Sequence, residues 1–256
     1  MAYFDSNGVQ IYYEEHGSGE PVVLVHGFAS RAEHNWGVTQ WYTTLAPHYR
    51  VIALDCRGHG KSGKPHDAAA YSGDTMGDDV IRLMDHLGIK RTLLMGYSMG
   101  GRISLGLLRS HPERLRAVVL GGIGAASKED GSTVMRNRKP IVAALLADDA
   151  SKVAAETPRQ FRQFAEAVGN DLKALAACMG ADRPDLSAED IAARPIKVPV
   201  LIAIGTKDLL VGDPNRLHRA IPGSQLVMLE GRDHLNAPGD KLFKEAVLKF
   251  FKSAPA

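Results

Sequence analysis

The chain has 256 residues, 45% of them hydrophobic and 23% charged, with a net charge of +2. That length is ordinary for one α/β sheet, and the mixture is that of a globular protein rather than a disordered or fibrous one. The near-neutral balance, with no basic run interleaved with aromatics and no apolar segment of spanning length, argues against nucleic acid or a membrane as partner. Met1 to Gln10 holds no apolar stretch of signal-peptide type, and Cys56 and Cys178 stand far apart outside any Cys/His cluster. Two reduced thiols, a cytoplasmic location and no metal or other cofactor are therefore expected.

In chain order, Asn7-Gly8 reads as a turn leading into an outer strand over Val9 to Glu15. Short, almost wholly apolar runs at 21–25, 50–54, 92–96, 117–121, 199–204 and 225–229 have the character of strands buried on both faces. Helical patterns separate them. Thr75 is placed to cap a helix whose apolar positions are Met76, Val80, Leu83, Met84 and Leu87, stopped by Gly88. Asp213-Pro214 offers a second cap, and Leu242, Phe243, Ala246, Val247, Phe250 and Phe251 share one face of a C-terminal helix. Alternating strands and helices predict an α/β fold with a mostly parallel sheet of about eight strands. Residues 122–198 break the rhythm, reading as short helices over Ile141 to Leu146, Arg159 to Val168, Leu172 to Met179 and Ala188 to Ala193. The division expected is a core of 1–121 and 197–256 with a helical insert, 122–196.

Gly96-Tyr97-Ser98-Met99-Gly100 follows the run Thr92-Leu93-Leu94-Met95 and precedes a helical stretch from Met99 to Arg109. A strand that breaks into a helix through a tight turn puts its apex serine in a strained backbone, with Oγ pushed out of the sheet as a nucleophile requires. Asp208 and His234 also fall in polar loops after apolar strands, Gly205-Thr206-Lys207-Asp208 and Gly231-Arg232-Asp233-His234. That is the sheet edge where ligands bind in open parallel sheets. Ser98 needs a neutral imidazole to take its proton, and His234 is assigned that role. For the carboxylate behind it, Asp208 is preferred by position, with adjacent Asp233 and the helix-capping Asp213 as competitors.

These features, with His26-Gly27-Phe28-Ala29 after Val22-Val23-Leu24-Val25 and Asp55-Cys56-Arg57-Gly58-His59-Gly60-Lys61-Ser62 after Val51-Ile52-Ala53-Leu54, resemble the α/β-hydrolase fold superfamily from about residue 8 onward. The resemblance implies a Ser98–Asp208–His234 triad and an oxyanion hole formed by the backbone N–H groups of Phe28 and Met99. It also implies that the insert is a cap over the active-site edge. Ser98 at the apex speaks against the haloalkane dehalogenases and epoxide hydrolases, which use aspartate there. Leu235, where carbon–carbon bond hydrolases often carry tryptophan, lowers that reading.

The activity implied is hydrolysis of a small or medium acyl ester or lactone. The alternatives are an enol-lactone hydrolase of aromatic-acid breakdown, a cofactor-free haloperoxidase or acyltransferase, or a binding protein that keeps the fold. His26 is expected to be structural or to shape the pocket, Asp55, Arg57 and His59 to tie a loop, and Trp36 and Trp41 to lie in the core or pocket wall. The arginines Arg136, Arg138, Arg159 and Arg162 are expected on a solvated face. The acyl site, drawn from Leu145, Leu146, Val153, Phe161, Phe164, Val168, Leu172, Leu175 and Met179, is expected to be apolar and to favour uncharged esters over dicarboxylic ones. A preference for carboxylates would turn attention to those arginines or to Arg31.

Overall fold

Asn7 and Gly8 take φ of 53° and 82°, the two left-handed conformations that turn a tight hairpin in the sense of the strand twist. They join β1 (Ala2–Ser6) to β2 (Val9–His16). The turn is legible in the sequence but β1 is not, because Phe4 is its one strongly apolar inward residue. Ser6, on the same face, is buried and donates a 2.5 Å hydrogen bond to Asp79. The computed structural model describes residues 2–126, 137–183 and 186–255.

β2 pairs antiparallel with β4 (Arg50–Leu54). Beyond it β3 (Pro21–Val25), β5 (Thr92–Tyr97), β6 (Leu115–Gly121), β7 (Val200–Gly205) and β8 (Gln225–Leu229) all run parallel, in the order β1-β2-β4-β3-β5-β6-β7-β8. This is the mostly parallel, eight-stranded sheet expected. β8 departs from its expected full burial: it is an edge strand, with Gln225 and Met228 exposed.

The helices are α1 (Trp41–Leu45), α2 (Thr75–His86), α3 (Met99–Ser110), α4 (Arg138–Leu146), α5 (Glu156–Val168), α6 (Leu172–Gly180), α7 (Ala188–Ala192), α8 (Pro214–Ala220) and α9 (Lys241–Lys252). Successive strand residues point to opposite faces, so the apolar runs feed two cores. Val23, Val25, Leu94, Val118 and Ile202 pack with residues of α2 and α3. Val22, Leu24, Leu93, Val119 and Leu201 pack with Trp36, Trp41 and the Phe243–Val247–Phe250 face of α9. Trp36 and Trp41 are thus core residues, and Trp41 Nε1 donates to the Pro238 carbonyl at 2.8 Å. Each aliphatic side chain so buried contributes about 1.5–3 kcal/mol.

Two expected details shift. Thr75 is the first helical residue of α2 rather than its cap, because its hydroxyl donates backward to the Ser72 carbonyl at 2.6 Å. Leu242 is exposed, lying at the margin of the α9 stripe.

Helices α4 to α7 occupy the insert where four helices were expected. Ile141, Leu145, Ala165, Leu175 and Met179 form a small core of their own, which Phe28 and Ala29 complete from the loop after β3. Arg162 is not solvated. It is 6% exposed and donates to the carbonyls of Ala144, Leu145 and Ala147 at 2.9, 3.0 and 2.7 Å, closing the C-terminal end of α4. Arg159 is half-buried and donates to the Val153 carbonyl. Arg136 lies outside the described residues.

The loop after β4 is tied down as expected. The Asp55 carboxylate accepts from the N–H groups of Ala32 and Lys61 at 2.7 and 2.8 Å. Arg57 and Asp79, both almost wholly buried, form a two-pronged pair at 2.7 and 2.6 Å. His26 donates from Nδ1 to the Gly27 carbonyl at 2.7 Å, and its Nε2 accepts the Cys56 N–H at 2.9 Å. His59 donates to the Arg57 carbonyl at 2.9 Å. Burial holds His26 below the ordinary histidine range and pushes His59 down to about 3, so both rings are neutral in the folded chain.

Removing one partner of a buried pair leaves the other charge uncompensated. Arg57→Ala is therefore expected to lower stability by about 3–5 kcal/mol, read from urea unfolding. Unchanged stability would show that Asp79 is not held by Arg57. The two neutral imidazoles give a second expectation. Unfolded, they take up protons below about pH 6.5, so the stability present above that pH is lost as the pH falls, by on the order of 1 kcal/mol per unit for each ring. Urea midpoints between pH 7.5 and 5 are expected to drop less steeply for His59→Asn than for the unsubstituted chain. Identical slopes would contradict the burial of a neutral His59.

Candidate active site

β5 ends at Tyr97 and α3 begins at Met99, so Ser98 alone turns the chain, at φ 55° and ψ −111°. The turn is tight because nothing fills it. A Cβ on Gly96 would overlap the Gly100 carbonyl and Ser104 Oγ, and a Cβ on Gly100 would overlap the Val25 carbonyl. The Ser98 N–H donates to the Gly121 carbonyl at 2.8 Å, anchoring the apex to β6. The Met99 N–H follows at the amino end of α3, where the helix dipole favours negative charge.

The loops after β7 and β8 bring the other two residues to this point. His234 Nε2 lies 2.8 Å from Ser98 Oγ, and His234 Nδ1 lies 2.6 Å from Asp208 Oδ2. The Asp208 side chain is fully buried, and its second oxygen accepts the Leu210 N–H at 3.1 Å. The competing carboxylates are engaged elsewhere. Asp233 accepts from the N–H groups of Leu235 and Asn236, both at 2.9 Å, and so closes its own turn. Asp213 caps α8 by accepting the Asn215 N–H at 2.8 Å. The loops are also bound to each other: Lys207 N–H donates to the Arg232 carbonyl, and Gly231 N–H to Thr206 Oγ1.

Tyr97 is a positioning residue that the sequence reading passed over. Its hydroxyl donates to the His234 carbonyl at 2.7 Å, and burial, reinforced by the Asp208 and Asp233 charges, keeps it protonated. A signal was present: a tyrosine closing a buried strand must find an acceptor for its hydroxyl.

The loop carrying Phe28 lies against Ser98, with Gly27 so near that an added Cβ would stand 3.4 Å from Ser98 Cβ. Asn35 accepts the Gly27 N–H at 2.9 Å, and Ala29 is held at φ 58°. From the insert, Asn170 donates to the Ala29 carbonyl at 2.7 Å and accepts the Gly60 N–H at 3.2 Å. Arg31 is taken up by the Val168 carbonyl at 2.9 Å. Asn35 and Asn170 carry no spacing signal that would have singled them out.

A cavity of about 410 Å³ opens on Ser98, Phe28 and Met99 together. Of the nine apolar insert residues, a subset of which was expected to line it, Phe161 and Met179 do. Leu145 and Leu175 are spent on the insert's own core, and Leu146 is exposed. The lining is mostly apolar, as expected, but it is not uncharged. Among the described residues, Arg102, Arg109, Arg138, Arg183 and Arg194 line the cavity against one carboxylate, Asp74. Arg138, expected in solvent, is half-buried and donates to the Met179 carbonyl at 2.6 Å. Among the described residues, no group of three His, Cys, Asp or Glu is arranged to hold a metal, and no helix is long and apolar enough to cross a membrane.

Residues 20–179 match the family model described as the alpha/beta hydrolase fold. The dihydrolipoyllysine-residue acetyltransferase component of the acetoin cleaving system of Pseudomonas putida is 33% identical over 228 residues, which cover 85% of this chain and 59% of that protein. The AB hydrolase superfamily protein YisY of Bacillus subtilis (strain 168) is 28% identical over 244 residues, 88% of this chain and 89% of that one. The chain spans about half the length of the first curated relatives it matches. Among solved structures, the enol-lactonase from Burkholderia xenovorans LB400 superposes with a TM-score of 0.79 at 26% identity, covering 98% of this chain and 100% of that one. Sheet order, glycine-flanked serine turn and family match agree: the chain belongs to the α/β-hydrolase fold family.

Proposed function

We propose that the protein is a serine hydrolase that cleaves carboxylic esters, of small or medium acyl group or lactones, through an acyl-enzyme on Ser98. The reading rests on one observation: Ser98 Oγ, which lines the cavity, His234 and Asp208 form a continuous hydrogen-bonded chain, at 2.8 and 2.6 Å. His234 takes the Ser98 proton as Oγ attacks the carbonyl carbon, and Asp208 holds the ring tautomer and stabilises the imidazolium. The backbone N–H groups of Phe28 and Met99 receive the oxyanion. His234 then gives its proton to the leaving alcohol, and a water activated by the same ring releases the acid. The insert, 122–196, serves as the cap over this site.

Perhydrolysis or acyl transfer would use the same residues and differ only in the nucleophile admitted to the acyl-enzyme. A lactone is the favoured cyclic substrate, since the enol-lactonase from Burkholderia xenovorans LB400 superposes over 98% of this chain. A purely ligand-binding role would not require all three side chains in register.

Turnover of 4-nitrophenyl esters well above background is expected for the intact protein. Ser98→Ala is expected to reduce kcat by on the order of 10⁴- to 10⁶-fold while leaving the circular dichroism spectrum unchanged. More than about a tenth of the activity surviving would point to a different nucleophile. Because protonated His234 cannot accept the Ser98 proton, kcat/KM is expected to be present at neutral pH and to fall as the solution is acidified. A kcat/KM that does not fall in acid would remove His234 from the role of base.

A further inference from the structure

Resting on the Ser98 reading above, we propose that the ester or lactone turned over there carries a carboxylate, received in a cationic arm of the same cavity by Arg183 and Arg138. The arm runs along α3 from Met99 past Arg102 and Gly106, about 10 Å of helix axis. Its floor is open, since a Cβ added to Gly106 would meet no atom within 4 Å. The space therefore continues beyond the reacting carbonyl and can hold the rest of a substrate.

The charge of that space is one-sided. Five arginines and a single aspartate line it among the described residues, although the whole chain carries a net charge of only +2. Arg194 is exposed and fits a solvated role. Arg183 and Arg138 do not. Arg183 donates to Met76 Sδ at 3.2 Å and to the Cys178 carbonyl at 2.7 Å, and Arg138 to the Met179 carbonyl at 2.6 Å. Within the described residues, these acceptors are neutral. They hold the guanidinium planes in place without cancelling their charge, and a thioether is a poor partner for so strong a donor. Each guanidinium keeps further N–H groups in a planar fork that matches a carboxylate. Cations gathered in a low-dielectric cleft also raise the local concentration of anionic substrate.

The test uses two matched pairs of esters on the intact protein. One places the charge on the acyl side, mono-4-nitrophenyl adipate against its uncharged methyl ester. The other places it on the alcohol side, 4-acetoxybutyrate against its methyl ester. In at least one pair the charged member is expected to show kcat/KM about tenfold to a hundredfold higher. That excess is expected to shrink in high salt, and to collapse severalfold in Arg183→Gln and in Arg138→Gln. Equal or reversed preference in both pairs overturns the proposal, as does an equal loss on both members in both variants, which would mark the arginines as structural. Arg183→Lys, which keeps the charge but not the fork, serves if Arg183→Gln does not fold. If the intact protein cleaves no ester of either pair, the Ser98 reading falls, and adipate binding by calorimetry decides the rest without turnover. Adipate binding weakened in Arg138→Gln upholds the anion site, and no binding to the intact protein removes it.

Discussion

The left-handed backbone at Ser98 is the constraint on which the site depends. A single residue links a strand buried on both faces to a helix packed on the same sheet, and the two can approach only because Gly96 and Gly100 present no Cβ to Ser104 and Val25. A non-glycine residue at positive φ is strained, and the surrounding packing must over-determine it. Here the Ser98 N–H is bonded to β6, and buried aliphatic layers clamp both faces of the sheet. The strain points Oγ away from the sheet and leaves the first N–H groups of α3 free of intrahelical partners beside it.

The remaining parts of the site are held by hydrogen bonds between loops that are distant in sequence. Tyr97, adjacent to Ser98, grips the carbonyl of His234, so the apex and the imidazole are positioned by one rigid strand end. The loop with Phe28 is held by Asn35 from the core side and by Asn170 from the insert. Phe28 and Ala29 also contribute to the insert's small apolar core. Displacement of the insert would therefore be felt at the loop beside Ser98. The same insert supplies Arg138, and the segment after α6 supplies Arg183, so part of the charge of the cavity comes from the insert.

The sheet was legible in the sequence because burial on both faces leaves a nearly continuous apolar run, as in Val22 to Val25 and Val200 to Ile204. Where burial is partial the signal weakens. β1 escaped notice because its inward Ser6 is buried through a hydrogen bond to Asp79, and β8 read as buried although it forms the sheet edge. Ser98, Asp208 and His234 were legible because each sits just after a strand, and parallel strands deliver such loops to one edge.

Long-range pairing is what a linear reading could not supply. The arginines at 138, 159 and 162 look alike on an amphipathic helix, yet one closes a helix end, one ties a loop and one lines the cavity. Nor could spacing show that Asn170 meets Ala29, or that Arg183 rests on Met76. By itself the sequence determined the strand-and-helix alternation, the glycine-flanked serine turn and the chain order of the three polar residues, since these follow from local sterics and periodicity. Only the tertiary structure decided which insert side chains face the cavity and what charge they bring. That depends on how short helices pack against one another and on the sheet, and many arrangements satisfy the same apolar stripe.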